Sequence, residues 1–120
     1  MARHNKTGQD GETLAVQYFT GKGYNILHTN WRHSHYEIDI IAQKEDKLHF
    51  IEVKTRRNKK FGNPEESVNR RKMQNLMKAA EEFLHQHPGW KKIQYDILSI
   101  NFNPNLAPEY FLIEDVYLYD

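Results

Sequence analysis

The stretch Tyr36 to Lys54, YEIDIIAQKEDKLHFIEVK, constrains this chain more than any other. Two runs rich in β-branched and aromatic residues flank a short charged link, Lys44-Glu45-Asp46-Lys47, which is a β-hairpin pattern. Side chains alternate along a strand, so Glu37, Asp39 and Ile41 share one face of the first run. Leu48, Phe50, Glu52 and Lys54 share one face of the second. A two- or four-residue loop sets Asp39 across from Glu52, Glu37 across from Lys54 and Ile41 across from Phe50. A three-residue loop sends Asp39 and Glu52 to opposite faces, because a one-residue slip flips the register.

In the even register the two carboxylates lie about 5 Å apart. At an effective dielectric near 20 they repel by about 3 kcal/mol. Lys54 is one compensator, and a divalent cation such as Mg²⁺, which prefers carboxylate oxygens, is another. A cross-strand salt-bridge cluster on a solvated face is the plainer reading. Against it, both faces of the hairpin carry large apolar residues: Ile38, Ile40, Ile51 and Val53 on one, Ile41, Leu48 and Phe50 on the other. The charges therefore lie at the end of a covered sheet.

The 120 residues suffice for one domain, 1–120, with one core. Formal net charge is only +1, so bulk charge does not identify a nucleic-acid binder. The distribution says more: Arg56, Arg57, Lys59 and Lys60 form one basic run, and Arg70, Arg71 and Lys72 a second. The chain has no cysteine, which excludes disulfides and thiolate zinc sites. The N-terminal MARHNKTGQDG lacks the apolar core of a secretory signal, and no apolar run approaches a membrane span. A cytoplasmic protein is the expectation.

A first helix is expected over about Gly8 to Lys22, with Leu14, Ala15, Tyr18 and Phe19 as its apolar stripe and Gly21 and Gly23 as its stop. Glu12 belongs to that stripe by its i, i+3, i+7 relation to Ala15 and Phe19. It is either solvated or a buried-edge carboxylate in need of a partner. Tyr24 to Trp31 reads as a strand. His33 and His35 in the following turn lack a third ligand nearby for a transition metal. Asn63-Pro64-Glu65-Glu66 reads as the start of a second helix that runs to about His87. Its core face is Val68, Leu76, Met77, Ala80, Phe83 and Leu84; Arg70, Arg71 and Lys78 face out, and Lys72 lies near the stripe boundary. Lys91 to Phe102 reads as a fourth strand, with Tyr95, Ile97 and Ser99 on one face and a structural Asp96 on the other. Tyr110 to Leu118 reads as an edge strand. The expected class is α/β (α+β), in the order αβββαββ: a mixed sheet flanked by helices.

Gly11-Glu12, Glu37-Ile38-Asp39, Glu52-Val53-Lys54-Thr55-Arg56 and Phe61-Gly62 together resemble the YraN family. That family is similar to Holliday junction resolvases and the wider PD-(D/E)xK, restriction-endonuclease-like nucleases. The resemblance covers nearly the whole chain, from the first helix to the Tyr95-Asp96-Ile97 strand. It implies a nuclease-like fold and a metal-dependent DNA endonuclease, structure-selective in the manner of resolvases. By this resemblance Asp39, Glu52 and the main-chain carbonyl of Val53 hold Mg²⁺ or Mn²⁺, with Glu12 completing the site directly or through a water. Lys54 positions the attacking water or stabilises charge on the phosphate. Glu37 joins the metal shell or pairs with Lys54. Arg56, Arg57, Lys59, Lys60, Arg70, Arg71 and Lys72 track the DNA backbone, and resolvase-like nucleases suggest a homodimer. Tyr36 departs from the family, which usually has Gly before Glu-Ile-Asp, and its bulk bears on access to the site.

Two other classes fit the same residues. One is a non-catalytic nucleic-acid-binding module on the same fold; the other is an interaction protein whose acidic cluster is structural. Chelator-sensitive cleavage separates the endonuclease from the module. Salt-dependent DNA binding separates the module from the interaction protein.

Overall fold

The hairpin closes in the even register. In the computed structural model, which describes residues 2–57 and 69–116 with side chains from Asp10 onward, β2 spans Tyr36–Lys44 and β3 spans Lys47–Arg56. Lys44 pairs with Lys47, so the loop is the two residues Glu45 and Asp46, with Glu45 at φ 56°. Positive φ is what a tight hairpin turn demands, and here a non-glycine residue supplies it.

Strand β1, Asn25–His33, pairs antiparallel with β2, and α1, Ala2–Gly21, precedes it. Helix α2, Arg70–Gln86, carries the chain across to β4, Lys92–Asn101, which pairs parallel with β3 along its full length. Strand β5, Glu109–Ile113, closes the edge antiparallel to β4. The sheet order is β1-β2-β3-β4-β5. A parallel pair needs a long crossover, and α2 lies within it.

Each face of the sheet is covered by one helix. On the α2 face Met73, Leu76, Ala79, Ala80 and Phe83 pack on Ile41, Leu48, Phe50 and Ile97. On the α1 face Ala15 and Phe19 pack on Ile40, Ala42, Ile51, Leu98 and Ile100. The alternation expected of β2 holds from Ile40 to Ala42 and breaks at Asp39. Ile38 joins the α2-side cluster with Ile41, although simple alternation assigns it to the other face. The β2–β3 ladder stops at Ile40–Ile51, so β2 is free to turn there.

Several boundaries differ from the sequence reading. Helix α2 starts at Arg70, because Asn69 is extended (φ −119°, ψ 122°) and its side chain accepts the Lys72 N–H as an N-cap. The start expected at Asn63 lies outside the described residues, as does Val68. Strand β5 stops at Ile113, well short of Leu118. The Asp115 N–H bonds the Asp96 carboxylate at 2.9 Å, which takes the chain off the ladder. Helix α1 ends near its predicted stop: Gly23 takes φ +91° while Tyr24 N–H returns to the Phe19 carbonyl at 3.0 Å. At Gly11 a Cβ would collide with the Thr55 side chain, so this glycine lets α1 lie close on β3. No described helix is long and apolar enough to cross a membrane.

Candidate active site

Where β2 leaves β3, the sheet opens, and Asp39 fills the gap. Its Oδ2 accepts the Val53 N–H at 2.8 Å, a bond made by side chain where backbone pairing has ceased. Asp39, Glu52, Val53 and Glu37 line one cavity of about 370 Å³, together with His35, Tyr36, Lys72, Asn75 and Leu76. Asp39 and Glu52 thus share one cavity, although the ladder that would set them opposite ends at Ile40–Ile51.

The electrostatics of this cavity are unsettled. Burial pushes Asp39 up from 3.8 to about 7. The Val53 N–H opposes this, and the charges of Glu52, Glu37 and Glu12 add to it. Burial also raises Glu52, against the pull of Lys72 and Lys54. Lys54 is depressed, first by burial and then by the nearby Lys72 ammonium; Glu52 and Asp39 oppose the shift. A group poised near neutrality beside a depressed lysine is the pattern of acid–base chemistry.

Lys72, expected near the stripe boundary of α2 and, with Arg70 and Arg71, to track the DNA backbone, is exposed, and its Nζ lies 3.9 Å from Glu52 Oε2. It stands one helical turn before buried Leu76, beside the packed stripe. Arg71 and Arg57 are exposed, Arg70 is exposed at the first turn of α2, and Arg56 is half-buried at the end of β3. Lys59 and Lys60 lie outside the described residues.

Two further expectations change. Glu37 does not pair with Lys54: the ladder ends before the two come opposite, and Glu37 Oε2 meets its β1 neighbour Arg32 at 3.4 Å. Glu12 reaches the site by its field on Asp39, while its Oε1 accepts from Asn30 Nδ2 at 3.1 Å. Among the described residues no three His, Cys, Asp or Glu side chains converge closely enough to hold a metal. A direct third carboxylate ligand is therefore not assembled. His33 lies 3.9 Å from Glu82, and His35 packs on Tyr36; they do not form a ligand pair.

Next to Lys54 and Arg56 in the parallel ladder stand Ser99 and Asn101. Ser99 Oγ and Asn101 Oδ1 are buried without a hydrogen-bond partner. Buried polar atoms in native proteins are nearly always paired, so these two on β4 stand out.

A five-stranded mixed sheet between two helices, with carboxylates and a lysine gathered where two central strands part, has the architecture of a restriction-endonuclease-like α+β domain. The chain belongs to the uncharacterised protein family UPF0102, the YraN family, whose model matches residues 11–100. It is 45% identical over 100 residues to a UPF0102 protein of Flavobacterium psychrophilum, covering 83% of this chain and 84% of that one. A UPF0102 protein of Bacteroides thetaiotaomicron is 41% identical over 100 residues, covering 83% of each chain. One from Syntrophomonas wolfei is 44% identical over 98 residues, covering 81% of this chain and 85% of its own.

Proposed function

We propose that this protein is a divalent-cation-dependent DNA endonuclease that hydrolyses phosphodiester bonds. The observation that carries the reading is the shared cavity of Asp39, Glu52 and Lys72 beside a half-buried Lys54. The donor set fits Mg²⁺ or Mn²⁺: two partly buried carboxylates that repel each other, with only oxygen to offer. Asp39 and Glu52 would hold the ion with the main-chain carbonyl of Val53. In an extended strand a residue's N–H and carbonyl leave on the same side, so that carbonyl would face Asp39, beyond the last β2–β3 pair. When bound, the ion supplies a Lewis acid for the phosphate and an acidified water.

The chain's own groups supply the rest. Lys54, held below the ordinary lysine range, can take a proton from the attacking water. Lys72, which lines the cavity, would meet the phosphate oxygens. Glu12 raises the proton affinity of Asp39 and so tunes cation binding. Arg57, Arg70 and Arg71 give backbone affinity without reading sequence.

The test is cleavage of branched and linear DNA with Mg²⁺ or Mn²⁺. Asp39→Asn, Glu52→Gln and Lys54→Ala should each abolish it, and chelator should stop the wild type. Lys54→Ala should leave DNA binding in Ca²⁺ nearly intact, since its role is in the reaction. Cleavage that survives Asp39→Asn or chelator overturns the reading. Binding that persists while no cation yields cleavage would favour the non-catalytic module. Separately, Arg70→Ala with Arg71→Ala should flatten the log–log salt dependence of binding by about two, whatever the sequence of the DNA.

A further inference from the structure

Hydrolysis leaves part of the cavity unexplained. One wall is aromatic. The two-residue turn Ser34-His35, closed by the His33–Tyr36 pair with Ser34 at φ 58°, sets the His35 and Tyr36 rings 4.2 Å apart by centroid and tilted 38°. Both line the cavity that holds Asp39, which is only three residues beyond Tyr36. Glu37, between them, is drawn to Arg32 across the β1–β2 ladder. The opposite wall comes from α2, where Lys72 and Asn75 stand three residues apart on one face, and Leu76 lies behind them.

We infer that this cavity takes one unpaired nucleotide next to the scissile phosphate. Its base stacks on Tyr36 and His35, its edge meets the Asn75 amide, and its phosphate meets Lys72. The inference rests on the nuclease reading and names the substrate class: DNA with a single-stranded end or branch, as opposed to continuous duplex. Inside a duplex both faces of a base are covered by its neighbours. A base can use an aromatic wall only after it leaves the stack. Stacking on aromatic side chains tolerates any base, because every base has a π-face. An amide offers both donor and acceptor to whichever edge arrives.

Fluorescence titration of three DNAs in Ca²⁺ tests this: blunt duplex, duplex with a single-stranded overhang, and a branched flap, each with 2-aminopurine at the first unpaired position or the matching paired one. Overhang and flap should bind more tightly than blunt duplex, and only the unpaired 2-aminopurine should be quenched. Tyr36→Ala and His35→Ala should each weaken overhang binding about tenfold and abolish the quenching, whereas Tyr36→Phe keeps both. Tyr36 also packs against the α2-side core, so its alanine variant is read beside its melting temperature. His35 is exposed, and His35→Ala carries the test if Tyr36→Ala does not fold.

Equal affinity for overhang and blunt duplex overturns the inference, as does quenching that survives both alanine variants. The two readings fail separately. Cation-dependent cleavage without preference for unpaired DNA would sink the stacking site alone. Quenching and preference without cleavage would sink hydrolysis alone. No binding of any DNA at low salt would sink both.

Discussion

Asp39 and Asp96 flank the same strand, one on β2 and one on β4, in opposite circumstances. Asp96 is fully buried and fully answered. Its Oδ2 accepts from His49 Nδ1 at 2.7 Å, and its Oδ1 accepts from Gln94 Nε2 at 2.8 Å and the Asp115 N–H at 2.9 Å. Asp39 accepts from the Val53 N–H and shares its surroundings with three other carboxylates. Two aspartates on neighbouring strands thus serve different ends. A buried acid with a complete set of donors fastens strands and the chain segment around it. One left among like charges keeps its proton to a higher pH, as Asp39 does. Strand β3 has a settled half around His49 and an unsettled half from Glu52 to Lys54, and the chemistry is expected where satisfaction fails.

The contrast breaks first, and with the largest effect, at Asp96. Asp96→Ala strips a partner from His49, Gln94 and the Asp115 N–H together. The expected loss is about 3–5 kcal/mol of unfolding free energy, read by urea denaturation at pH 7. A loss below about 1 kcal/mol would mean that Asp96 fastens nothing.

Asp39→Asn should do the reverse. The folded-state value of about 7 lies above the ordinary 3.8, so the folded protein holds a proton that the unfolded chain has released. Stability from this group is therefore full below pH 4 and lost as pH rises through 7. The cost above pH 7 is at most about 4 kcal/mol, from roughly 1.4 kcal/mol per pH unit. In metal-free buffer at pH 8 Asp39→Asn should be the more stable protein by up to that amount, and at pH 4 the difference should vanish. Mn²⁺ should raise the melting temperature of the wild type more at pH 8 than at pH 6, since the ion competes with the proton, and should not shift Asp39→Asn. A destabilised Asp39→Asn with no Mn²⁺ response in either protein would make the cluster a structural one.

The smallest effect belongs to the exposed pair Arg32–Glu37. Arg32→Ala should change stability by no more than about 0.5 kcal/mol, because both side chains reach solvent and salt screens them. A change above about 1 kcal/mol would place Glu37 inside the strained group with Asp39.

The sequence by itself determined the element order and the hairpin, and it narrowed Asp39 and Glu52 to one face or to opposite faces, according to loop length. These follow from periodicity, which is a local property of the chain. The tertiary structure decided what those residues answer to. The β2–β3 ladder ends at Ile40–Ile51, which gives Asp39 the Val53 N–H and leaves Glu37 to Arg32. The seat of α2 on the sheet brings the exposed Lys72 within 3.9 Å of Glu52. His49 shows no sequence sign of converging on Asp96, because the two lie 47 positions apart and meet only after α2 has crossed the sheet. Alternation says which way a side chain points along a strand. Where strands separate, and which side chain from a distant helix fills the opening, depends on contacts that exist only once the layers have packed.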